Sequence, residues 1–167
     1  MPKEDETNNL KLSDLFDTQN MLSGRTEIEN ISKLNVGLVW SCTGQGFRPV
    51  VSTTAFSLQG DSGSALNTGT DNSYYLKDTH LPNGATITGA IVYGATATWA
   101  LMREPLNSTS VANQEVLASG NLGTENTTIS NATVNNLTYK YYFLVGNQDD
   151  SFDIGDDING ARIVYTI

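Results

Sequence analysis

The sequence predicts an all-β protein, an antiparallel β-sandwich of jelly-roll type preceded by an N-terminal arm. Three observations carry that expectation. From Val36 onward, apolar residues recur with period two in short runs. Those runs are enriched in β-branched and aromatic side chains, which suit a pleated, half-buried surface. Clusters of Gly, Asn, Asp, Ser and Thr separate them, as turns require. A chain of 167 residues suits one domain with an appendage. The boundary is placed at Asn35/Val36, giving an arm at 1–35 and a sandwich at 36–167.

The arm holds seven acids and four bases, and its only aromatic residue is Phe16. Ser13 suits the N-cap of a short helix carrying Leu15, Phe16, Met21 and Leu22, with Gly24 as its stop. A second apolar series, Ile28, Ile31 and Leu34, has spacing three. Neither segment reaches the ~12–15 residues that an isolated helix needs. The arm is therefore expected to be irregular or briefly helical, ordering only where it docks.

Strands are expected next. Gly37-Leu38-Val39-Trp40-Ser41 and Phe47-Arg48-Pro49-Val50-Val51-Ser52 flank a turn at Gly44 and Gly46. Thr86 to Tyr93 alternates, with Ile87, Gly89, Ile91 and Tyr93 assigned to one face. Ala97 to Arg103 sets Trp99 and Leu101 together. Tyr139, Tyr141, Phe143 and Val145 share a side, as do Ile163, Tyr165 and Ile167. Trp99 and Phe143 are expected in the interior. Pro82-Asn83-Gly84 is a turn signal, since proline presets φ while Asn and Gly accept positive φ.

Composition excludes several classes of function. Asn, Ser and Thr fill 51 positions, while charged residues make up only 16%. Nine basic against 18 acidic residues give a net charge of −9, which opposes binding to a phosphate backbone. No nucleic acid is expected. The single Cys42 permits no intramolecular disulfide and no cysteine zinc cluster; it reads as a small buried apolar residue. The single His80 leaves most imidazole catalysis without parts. The acidic, polar N-terminus lacks the apolar region of a signal peptide, and no apolar run approaches the ~18 residues of a membrane span.

The run Leu81-Pro82-Asn83-Gly84-Ala85-Thr86-Ile87-Thr88-Gly89 matches an LPxGATIT-type signature. Gly46-Phe47-Arg48-Pro49 precedes it. Trp99-Ala100-Leu101-Met102-Arg103 comes after it, then Asn136-Leu137-Thr138-Tyr139-Lys140-Tyr141-Tyr142 and Gly160-Ala161-Arg162-Ile163-Val164-Tyr165-Thr166. From Gly46 to the end, the chain thus resembles a class of bacterial, archaeal and viral β-sandwich surface proteins. The resemblance implies a sandwich fold and a surface location; it supplies no catalytic residues.

Four groups of residues are candidates for function. Gly60-Asp61-Ser62-Gly63 matches the loop that presents a serine nucleophile in chymotrypsin-like proteases, but His80 follows Ser62 and too little chain precedes it for a first barrel. It reads as a loop, and no enzyme activity is expected. Asp149, Asp150, Asp153, Asp156 and Asp157 offer carboxylates to calcium, but without the EF-hand order or a closing Glu. They read as a solvated loop in which Phe152 and Ile154 pin the backbone to the sandwich, and no metal or cofactor is expected. Tyr74, Tyr75 and Tyr142 offer a platform for sugar rings. Sequons begin at Asn30, Asn107, Asn126, Asn131 and Asn136. The leading expectation is a non-enzymatic structural subunit of a virus particle or comparable surface assembly, a decoration, capsid or fibre component. Leu15, Phe16, Leu22, Ile28 and Ile31 would dock its arm on a second copy, a trimer being preferred, or on neighbouring particle proteins. The alternative is a carbohydrate-binding or adhesin module.

Overall fold

A computed structural model describes residues 37–69, 73–146, 152 and 155–167. The sandwich lies within Val36–Ile167, one of two units into which the chain divides after Asn35. The arm residues Leu15, Phe16, Leu22, Ile28 and Ile31 lie outside the described residues, as do Asp149, Asp150 and Asp153 of the acidic loop.

Among the described residues ten strands run in order: β1 (Leu38–Thr43), β2 (Arg48–Pro49), β3 (Phe56–Gln59), β4 (Ser64–Asn67), β5 (Tyr75–Asp78), β6 (Thr86–Gly94), β7 (Thr98–Pro105), β8 (Glu115–Asn121), β9 (Tyr139–Val145) and β10 (Asp157–Thr166). They form two five-stranded antiparallel sheets. In the first sheet β10 is the hub, pairing with β6 on one side and with β1 and β4 on the other, and β3 extends β4. The second runs β2-β5-β9-β7-β8. The chain changes sheet at most connections, which is the jelly-roll habit. The fold is the predicted all-β sandwich.

The core fills the space between the sheets. Ile87, Ala90, Val92, Ile158 and Ile163 come from the first, and Tyr75, Trp99, Leu101, Leu117, Tyr141, Phe143 and Val145 from the second. Trp99 meets Phe143 edge-on at 5.8 Å between ring centroids. Both lie in the interior, as the alternation of β7 and β9 predicts. Cys42 sits half-buried against this core, and burial pushes its thiol above the ordinary value, with Lys77 opposing.

Three local expectations are corrected. Ile87, Gly89, Ile91 and Tyr93 do not share a face. In the β6–β10 ladder Ile87 stands opposite Tyr165 and Gly89 opposite Val164, so Thr88 is an extra residue. A bulge of this kind reverses the alternation beyond it. Ile87 therefore joins Ala90 and Val92 in the core, while Tyr93 is exposed. The run from Phe47 to Ser52 is strand only at Arg48–Pro49. Proline offers no N–H to a longer ladder, and only Val50 continues it, donating to the Tyr74 carbonyl at 2.8 Å. In the Pro82 turn, proline is the acceptor residue rather than the bend. The Ala85 N–H donates to its carbonyl at 3.2 Å and Gly84 takes φ +84°, the left-handed position of a type II turn.

Residues 122–134 close one flank. Asn126 and Thr133 form single bridges to Ala90 and Thr86 of β6, and the Ser130 N–H donates to Leu117 of β8 at 2.8 Å. This segment thereby ties an edge of each sheet to the other. No helix among the described residues is long and apolar enough to cross a membrane.

Candidate functional site

The outward face of the second sheet holds a groove of about 440 Å³, within the ~300–1,000 Å³ of small-molecule sites. Its floor is set by the register of three strands. Thr98 lies between Asn121 of β8 and Gly146, whose N–H donates to the Thr98 carbonyl at 2.9 Å. The next row is Leu144, Ala100 and Ser119, and the next Tyr142, Met102 and Val116. Ala100 is the smallest side chain of its row, and the depression forms over it. The rim is polar and uncharged: Thr98, Gln114, Ser119 and Asn121.

A second bulge makes this lining possible. Leu101 pairs with Ala118 but Met102 with Val116, so Leu117 is extra in β8. Leu117 and Ala118 consequently both face inward, and Val116 and Ser119 on either side both reach the groove. Val116 is 52% exposed.

Tyr74 supplies the aromatic wall. Gly146 takes φ +107°, and a Cβ there would stand 3.4 Å from the Tyr74 ring and 3.3 Å from the Ser73 carbonyl. Glycine at 146 thus lets the Tyr74 ring lie close against the turn after β9. Below the groove, the Trp99 indole N–H donates to the carbonyls of Asn121 and Thr124 at 3.1 and 3.3 Å.

The expected tyrosine platform is divided by the fold. Tyr74 lines the groove, but Tyr75 is fully buried, 4.8 Å from the Phe152 ring and edge-on to Phe56 at 6.3 Å. Strand alternation sends adjacent residues to opposite faces, so the pair cannot form one surface. Tyr142 faces away from the core as expected, yet it is only 4% exposed. Its ring cannot stack on a ligand. Burial and the nearby Glu104 carboxylate push its hydroxyl up to about 12, against the pull of Gln114, although among the described residues none offers it a hydrogen bond of full geometry.

Beyond Tyr142 and Met102 the face becomes charged. Glu104 and Lys140 are cross-strand neighbours joined at 3.1 Å. The Lys140 hydrogen bond holds the Glu104 carboxyl below its ordinary 4.5, against a smaller opposing effect of burial, with Ser108 and Gln114 adding to the lowering.

The remaining candidates are placed elsewhere. Gly60-Asp61-Ser62-Gly63 is the hairpin turn between β3 and β4, closed by the Gly63 N–H on Gln59 at 2.9 Å. The Ser62 hydroxyl lies 2.6 Å from that of Ser64, while His80 is exposed just after β5. Of the described acidic-loop residues, Asp156 and Asp157 use their carbonyls to accept from Asn67 and Ala95. Phe152 is fully buried in the core, with its carbonyl taking the Asn67 side-chain amide, while Ile154, its expected companion, lies outside the described residues. Three sequon asparagines use their amides internally: Asn126 donates to Ser119, Asn131 to Glu115 and Asn136 to Leu81.

The groove residues Ala100, Met102, Gln114, Val116, Ser119, Asn121 and Leu144 were not legible as a site. Alternation puts Ala100 and Met102 opposite Trp99 and Leu101, a faint signal, but only the pairing with β8 and β9 makes them a floor.

No protein-family model matches the chain, and no curated protein does. Among solved structures, the chain is similar to the low-affinity xylan-binding module CBM86 from Roseburia intestinalis, with 11% identity and a TM-score of 0.43 over 78% of this chain and 97% of that one. It is also similar to the C-terminal CBM6 of LamC, a marine laminarinase from Zobellia galactanivorans, with 14% identity and a TM-score of 0.43 over 75% of this chain and 98% of that one.

Proposed function

We propose that the protein is a non-catalytic carbohydrate-binding module whose ligand lies in the groove of the second sheet. The observation that carries this reading is the chemistry of the lining. An apolar floor of Ala100, Met102 and Leu144, one aromatic wall at Tyr74, and a rim of amides and hydroxyls match a sugar, with its C–H faces and outward hydroxyls. The described lining residues are all uncharged, so with them a ligand would be held by apolar contact and neutral hydrogen bonds. Those contributions are modest individually, about 0.5–1.5 kcal/mol for each hydrogen bond.

The test is a glycan array probed with wild type and with Tyr74→Ala. The Tyr74 carbonyl, which takes the Val50 N–H, survives that change. Selective glycan binding by wild type, lost in Tyr74→Ala, is expected. Absence of wild-type binding across the array, or full retention in the variant, would refute the reading. Tyr75→Ala is unsuitable, because it empties the core.

A further inference from the structure

From the groove's shape and charge we infer that it takes an internal stretch of a neutral polysaccharide, laid along β7, rather than a single sugar or a chain end. This rests on the carbohydrate reading above and specifies its ligand class. Thr98, Ala100 and Met102 line the groove at alternate positions of one strand. At ~3.4 Å per residue they span about 14 Å, longer than one pyranose ring.

The rim groups are distributed, not convergent. Asn121 stands beside Thr98 at one end, and Gln114, which precedes β8, lies at the other, toward Met102. A site for a chain end gathers its donors around one terminal ring. Two amides separated along a strand address different units of a chain.

Charge selects the class of polysaccharide. Among the described lining residues, only the Tyr74 phenol is ionisable. Lys140, on the same face beyond Tyr142, is engaged by Glu104 at 3.1 Å, so it is not a free partner for a uronate carboxylate. The chain's net charge of −9 further repels an acidic polymer.

Calorimetry of the full chain against ladders of cello-, xylo-, laminari- and manno-oligosaccharides, from mono- to hexasaccharide, tests this, with oligogalacturonates as the acidic ladder. In at least one neutral ladder, affinity should rise about tenfold or more between the mono- and trisaccharide and then level off. Oligogalacturonates should bind at least about tenfold more weakly than the neutral oligomer of equal length. In Asn121→Ala the levelling-off should come at a shorter oligomer. The Asn121 carbonyl that holds the Trp99 indole is unaffected by that change. A monosaccharide that binds as tightly as the hexasaccharide, or an acidic ladder that matches the neutral ones, would overturn this inference and leave the carbohydrate reading standing. Failure of every ladder would overturn both.

Discussion

On the outer face of the first sheet, the extra residue Thr88 reverses β6, and residues 125–127 then lie against that face at Gly89. The Glu125 carboxylate stands over Gly89 and holds Arg162, the cross-strand partner of Ile91, at 3.1 Å. Ile91 is left 5% exposed. On the outer face of the second sheet, the extra residue Leu117 likewise turns Val116 and Ser119 outward, but Val116 stays 52% exposed beside the groove. The same backbone device is covered where it occurs in one sheet and left open in the other. The difference lies in the chain packed over each bulge. Residues 122–134 run along β6, whereas Ala100 lies at the centre of the other face and leaves room above it. A β-sandwich presents two outer faces by construction, and among the described residues the groove lies on that of the second sheet.

Filling the open face is the strongest way to break this contrast. Ala100→Phe should reduce glycan binding by tenfold or more, about 1.4 kcal/mol or greater. The same change should alter stability by only about 1 kcal/mol or less, because the side chain projects away from the core. Calorimetry and urea denaturation on one preparation measure both quantities, and a large loss of stability would show that the floor is structural.

A smaller effect separates the charged end of the face from its neutral groove. The Glu104 carboxyl is held below its ordinary 4.5, chiefly by the Lys140 hydrogen bond. The native state therefore releases this proton more readily than the unfolded chain does, and the resulting stabilisation is fully present above pH 4.5. It is lost as pH falls through the lowered native value. The stability advantage of wild type over Glu104→Gln should accordingly shrink in acid, as measured by denaturant titrations at neutral pH and below pH 4.5. A pH-independent advantage would contradict the pairing.

The smallest effect is expected on the covered face. Glu125→Ala removes a half-exposed ion pair with Arg162, and such pairs contribute roughly 0.2–1 kcal/mol. A thermal melt should move little and glycan binding not at all. Altered binding would mean that the two faces are coupled.

The sandwich was legible because β7 and β9 carry clean alternation. Trp99 with Leu101, and Tyr141 with Phe143 and Val145, face inward as their spacing predicts. Strands β3, β4, β5 and β8 were missed, being short or polar; β8 reads Glu-Val-Leu-Ala-Ser-Gly-Asn, and its bulge destroys the period. The same bulge hid the groove, since Val116 and Ser119 share a face only because Leu117 is inserted. Tyr74 and Tyr75 illustrate the opposite case. Both were legible as aromatic candidates, and alternation alone places them on opposite faces, but only the fold tells which one is inward.

The place of β10 at the centre of the first sheet has a consequence for how the domain is built. Among the named strands, β1 and β6 pair with β10 alone, and β10 comes after every strand of the second sheet in the chain. As the polypeptide leaves the ribosome, all five strands of the second sheet emerge while β1 and β6 still lack their ladder partner. Contacts of such large sequence separation close slowly, and apolar surface left waiting is prone to aggregate. Biosynthesis therefore imposes an order in which the second sheet is available first and the first sheet completes the core last.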